Sequence, residues 1–131
     1  MEKNTKTYKD VFNFMANANR YLSINKDETK LKYAIERVGK ANEVVTSSYH
    51  QKVADLNLEH AFTDDKGRVP FTTNEQGVRT YEYTKDGLKS LDKAIEDLFN
   101  SEVEVSVYYA TEMPEDYNEQ WDIAFKGFVI F

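Results

Sequence analysis

A chain of 131 residues, 40% apolar and 14% aromatic, can bury one real core, which excludes a disordered chain. A net charge of −6 argues against general binding to nucleic-acid phosphates, which takes clustered Lys and Arg. The lack of cysteine excludes a disulfide framework, a thiolate zinc site and a thiol nucleophile.

Residues 1–6, MEKNTK, are polar and are expected to fray. No charged-then-apolar leader opens the chain and no apolar run approaches a membrane span, so neither a signal peptide nor a membrane helix is expected. Thr7 or Asp10 can cap a first helix. Val11, Phe12, Phe14, Met15, Ala18, Tyr21 and Leu22 give that helix one broad apolar face, with Asn13, Asn17, Asn19 and Arg20 on the rest. Residues 23–25 end it.

Asn25 with Glu28 three residues on reads as the cap of a second helix. Near-helical apolar spacing then runs from Leu31, Ala34 and Ile35 through Val45 to Leu56. Taken whole it is a helix about 50 Å long, against a radius of gyration of roughly 14 Å for a domain of this size. The helix must therefore protrude or bend, and Gly39 or Thr46-Ser47-Ser48 are the places to bend. Any uncovered part is a candidate partner surface or self-association seam.

Asp64-Asp65-Lys66-Gly67 is a turn, Val69-Pro70-Phe71 an edge strand, and Thr73–Gly77 a second turn leading into Val78–Tyr83, which together read as a β-hairpin. Tyr81 and Tyr83 alternate with Glu82 in the strand period. Thr84 caps the next helix, whose apolar stripe is Leu88, Leu91, Ile95 and Leu98. Val103, Val105, Val107 and Tyr109 then alternate with polar partners as a further strand. Pro114 suits the first turn of a short helix running toward Trp121 and Phe125. Phe128–Phe131 is an apolar terminus, either a strand that completes the sheet or a tail that docks on a partner.

The fold class expected is α+β: an N-terminal helical hairpin with one long helix, packed with a small, mostly antiparallel sheet. That sheet comprises the hairpin, a strand–helix–strand segment and the C-terminal strand, all in a single domain over residues 1–131, since no repeat or linker divides the chain.

Little in the sequence has the spacing of a catalytic site. His50 and His60, ten residues apart on one helix, lie about 80° apart around the axis and about 15 Å apart along it, too far to share a metal. Glu59, Asp64 and Asp65 lack the spacing of a calcium loop. Ser47-Ser48 has no nucleophile-elbow context, and no phosphate-binding glycine loop is present. No catalytic residue, cofactor or metal is expected, so the chain reads as a non-enzyme. The sharper features are Glu112, Glu115, Asp116 and Glu119 beside Tyr117 and Trp121, an acidic and aromatic group suited to a basic protein partner. Tyr49 on the long helix joins them as a candidate contact.

Four short segments carry a resemblance: Asp64-Asp65-Lys66-Gly67, Tyr83-Thr84-Lys85-Asp86-Gly87, Leu91-Asp92-Lys93-Ala94-Ile95 and Glu102-Val103-Glu104-Val105. Their order over residues 10–107 resembles a family of small tailed-bacteriophage proteins of unassigned function, encoded among structural genes. The resemblance brings no catalytic residues. It implies a phage origin, a place in the virion or the host cytoplasm, and work done by protein–protein contact. The first expectation is a virion or assembly component, as a homo-oligomer or on another phage structural protein, with no direct contact to nucleic acid or membrane. The alternative is a phage-encoded inhibitor of a host defence system, of anti-CRISPR type. It would present Glu102, Glu104 and the acidic group after Tyr109 as one surface to a nucleic-acid-binding enzyme.

Overall fold

The computed structural model describes residues 2–109 and 119–130. Its element order is β1 (Glu2–Thr7), α1 (Tyr8–Ile24), α2 (Lys30–Ala41), α3 (Glu43–His60), β2 (Phe71–Thr73), β3 (Arg79–Tyr81), α4 (Lys85–Phe99), β4 (Glu102–Tyr109), α5 (Glu119–Phe125) and β5 (Val129–Ile130). The class is α+β. The chain divides into two compact units: residues 1–47 with 100–131, and residues 48–99.

In the first unit the strand order is β1-β4-β5, antiparallel between β1 and β4 and parallel between β4 and β5. Residues 2–6 are not frayed ends. Their backbone completes a ladder with β4, from Glu2 opposite Val107 to Thr7 opposite Glu102. The sequence EKNTKT has no apolar alternation because β4 supplies the apolar side chains, Val105 and Val107. The C-terminal strand is present as β5, entered by a bond from the Tyr108 N–H to the Phe128 carbonyl at 2.9 Å.

Thr7 ends β1 and caps α1. Its hydroxyl accepts from the Asp10 N–H at 3.2 Å, and the Asp10 carboxylate accepts from the Thr7 N–H at 3.1 Å, a reciprocal box that satisfies two donors at the helix start. Tyr8, Val11, Phe14, Ala18 and Tyr21 follow at helical spacing and are buried. Phe14 stacks on Phe128 at 4.6 Å and meets the edge of Phe125 at 5.8 Å. The core is thus an aromatic layer joining α1 to the end of the chain. Against α1 and β4 lies α2, which buries Leu31, Ala34, Ile35 and Val38. Asn25 does not cap α2; it ends α1, and Thr29 caps α2 by accepting from the Lys32 N–H at 3.1 Å.

The expected long helix is two helices. The helical hairpin is α1 with α2, and the break falls at Asn42, not at Gly39 or residues 46–48. Asn42 is fully buried. Its Nδ2 donates to the carbonyls of Val38 and Ser106, both at 3.0 Å, and its Oδ1 accepts from the Ser106 N–H at 2.8 Å. Both backbone groups of Ser106 therefore face Asn42 and away from β1. Ser106 and Lys3 form a non-hydrogen-bonded pair, in which side chains approach closely. Lys3 Nζ accordingly donates to Ser106 Oγ at 2.9 Å.

The second unit holds most of α3, the β2–β3 hairpin and α4. Two five-residue turns share one design. Asp64 Oδ1 accepts from the N–H groups of Lys66 and Arg68 at 2.9 and 2.8 Å, and Gly67 takes φ 76°. Asn74 Oδ1 accepts from Gln76 and Val78 at 3.0 and 2.9 Å, and Gly77 takes φ 79°. An Asx side chain mimicking a backbone turn, closed by glycine at positive φ, explains both. The first hairpin strand is shifted, with Val69 and Pro70 preceding β2, and the second is shorter than expected, with Val78 before β3 and Glu82 and Tyr83 after it. The strand–helix–strand segment is real in order, but β3 and β4 belong to different sheets, so it builds no common sheet. Thr84 caps α4, its hydroxyl accepting from the Gly87 N–H at 3.0 Å.

Candidate functional site

Of the candidate contact residues, Glu112, Glu115, Asp116 and Tyr117 lie outside the described residues. Glu119 is exposed at the start of α5. Trp121 is placed differently from expectation. Its indole is buried, stacked on Phe125 at 5.7 Å, meeting the Tyr21 ring edge-on at 5.0 Å and covered by the Arg20 guanidinium at 5.0 Å. Those contacts make it part of the core and leave little of it to offer a partner. Tyr49 is half-buried, with its ring 5.9 Å from that of Phe99.

His60 and the acidic turn have local structural partners. His60 Nδ1 lies 3.0 Å from the Leu56 carbonyl one helical turn back. The Asp64 carboxylate is engaged by two backbone N–H groups. Among the described residues no three His, Asp or Glu side chains gather closely enough to hold a metal ion, and no helix is long and apolar enough to cross a membrane.

The surface that stands out is in residues 48–99. All of this unit is described, and Leu91 is its only buried residue. Against it, Leu58, Phe62, Phe71, Val78 and Leu88 are exposed, Leu88 at 47% and Phe71 at 46%. The apolar stripe of α4 is therefore covered unevenly: Leu91 is buried, Ile95 and Leu98 are half-buried, and Leu88 is open. The apolar residues of α3 do not gather on one face, and Val45 alone among them is buried.

Every residue from Phe71 to Thr80 is exposed. The hairpin nonetheless has an ordered face. Phe71 pairs across the ladder with Tyr81, their rings 6.4 Å apart, and the Arg79 guanidinium sits over Phe71 at 4.4 Å. Cross-strand aromatic and cation–π contacts of this kind are worth about 0.5–1 kcal/mol each at exposed sites, which holds the rings in place without hiding them. Periodicity did not reveal this surface, because an apolar stripe looks the same whether or not anything covers it. The one available signal was the count of apolar residues in α3 and α4 beside a hairpin too short to cover them.

No family model, curated protein or solved structure matches the chain. Its function must therefore be argued from its own residues.

Proposed function

We propose that this protein is non-catalytic and works by protein–protein contact, as an assembly component that self-associates through residues 48–99. The observation that supports the reading is the imbalance in that unit, one buried residue against five large exposed apolar ones. A unit of roughly 50 residues without disulfide or metal rarely builds a sufficient core, and association is one usual remedy. Exposed apolar side chains beside an aromatic hairpin face give the area and the anchors that such association needs. A second copy of the chain carries the same surface, so one patch can serve both sides of a two-fold interface. The phage setting rests on the resemblance of the four sequence segments, and with it the virion or host cytoplasm as the place of action.

Sedimentation or light scattering of the full chain across a concentration series tests the proposal. The expected result is an oligomer that Phe71→Ser and Leu88→Ser convert to monomer, with circular dichroism unchanged. A wild-type chain that stays monomeric at every concentration would overturn self-association.

A second reading, an acidic surface offered to a nucleic-acid-binding defence enzyme, has its own support. From residue 94 to 125 the chain carries nine Asp and Glu and no Lys or Arg, and the six of these that are described are exposed. Capture of a host nuclease by monomeric protein, released as salt rises, would favour it over assembly.

A further inference from the structure

The first unit contains a cleft of about 310 Å³ between α1 and the turn from α5 into β5. Its floor is the stacked pair Phe14 and Phe128. One wall is the polar face of α1, where Asp10, Asn13 and Asn17 follow at steps of three and four residues and so share a side. The opposite wall carries Ile123 and Lys126. Lys6 enters from the end of β1.

The approach of Lys6 is built into the backbone. Gly127 takes φ 81°, and a Cβ added there would collide with Lys6 Nζ and lie 2.6 Å from its Cε. The glycine leaves the space through which the lysine side chain runs. The charges are also informative. The cleft collects two ammonium groups and one carboxylate, in a chain of net charge −6. That carboxylate, Asp10, is already engaged by the Thr7 N–H. Lys126 is the only cation after Lys93, against nine acidic residues, and it stands here. Among the described residues, the side chains of Lys6, Asn13, Asn17 and Lys126 make no hydrogen bond or ion pair with the protein.

We propose that this cleft binds a small organic anion, with a carboxylate or phosphate held between Lys6 and Lys126, polar groups read by Asn13 and Asn17, and an apolar part on Phe128 and Ile123. Its volume lies at the low end of small-molecule sites, which suits a metabolite-sized ligand and is too small for a dinucleotide. Two flexible ammonium groups act as point charges and accept either oxyanion, while the amides and the aromatic floor set the rest of the preference. This site is independent of the contact surface on residues 48–99.

The test is an amide NMR titration of the full chain with phenyl phosphate, with inorganic phosphate alone as the second probe, at ionic strength held constant with chloride. Saturable shifts are expected at the Asn13 and Asn17 side-chain amides and at the Gly127 N–H, with phenyl phosphate binding more tightly than phosphate. Lys6→Met and Lys126→Met should each weaken binding about tenfold, the value of one charge-assisted contact, while Lys9→Met on the exposed side of α1 should not. Lys126 is exposed, so its variant keeps the test open if the Lys6 variant fails to fold. Shifts that do not saturate, or equal weakening by the Lys9 variant, would show general ionic attraction and overturn the site.

Discussion

The side chain of Asn42 and the backbone of Ser106 form a two-bond pair, Nδ2 to carbonyl at 3.0 Å and N–H to Oδ1 at 2.8 Å. The amide acts as one residue of strand. It occupies the β4 edge beside Ser106, and β5 takes over at Tyr108. The same residue ends α2, its carbonyl accepting from Val45 and Thr46 of α3. One side chain thus ties a helix break to a sheet edge.

Asn42→Ala removes all three side-chain bonds and leaves two buried backbone groups of Ser106 without partners. The expected loss is about 2–4 kcal/mol, read from urea unfolding. Asn42→Asp keeps the acceptor but puts a carboxylate against the Ser106 carbonyl, and should be at least as costly at neutral pH. A loss below about 1 kcal/mol for both would mean that the pair is dispensable.

Gly127→Ala should destabilise by two separable effects. Positive φ costs an alanine about 1–2 kcal/mol, and the new methyl also displaces Lys6. Lys6→Ala in the same chain should restore the steric part only. Comparing the single and double variants by thermal melting separates the two.

Phe14→Ala and Leu88→Ala give opposite tests of apolar residues that look alike in sequence. Phe14 lies between Phe125 and Phe128, so truncation should cost about 3–5 kcal/mol. Leu88 is exposed, so its truncation should change monomer stability by about 0.5 kcal/mol or less and weaken association instead. Denaturation at low concentration and sedimentation at high concentration read the two effects separately.

Tyr109 offers a pH test. The Glu2 carboxylate, by hydrogen bond and charge, holds its phenol above the ordinary range. A raised value means that folding favours the neutral phenol. Whatever Tyr109 contributes is therefore present below its ordinary value of about 10 and lost as pH rises through the folded value. Glu2→Gln should bring the phenol back toward the ordinary range, followed by ring NMR shifts. No change in its titration would remove Glu2 as the cause.

What was legible in the sequence is local. Thr7, one of the two caps the pattern offered for α1, the turns at Asp64 and Asn74, Thr84 and the strand through Val103, Val105 and Val107 each depend on near neighbours and stand where the pattern put them. What was not legible depends on distant partners. The strand Glu2–Thr7 has no apolar signature, since its place comes from β4 about 100 residues away. Asn42 looks like an unremarkable polar position until Ser106 arrives beside it. Trp121 read as a contact residue because nothing local says that Tyr21, Arg20 and Phe125 will enclose it. The exposed apolar surface of residues 48–99 was hidden for the converse reason: periodicity marks a face as apolar and is silent on what covers it.

The pairing of Ser106 with Asn42 reaches across the sheet. If Ser106 turns its polar groups from β1, then Lys3, Thr5 and Thr7 turn theirs outward, toward the free side of an edge strand. Such a row is a template for fibril growth. Here the Thr5 N–H is taken by its neighbour Asn4 at 2.9 Å, and the Thr7 N–H by Asp10. A foreign strand seeking register would find one open donor in three. Orderly growth by an extending ladder is therefore disfavoured at the β1 edge.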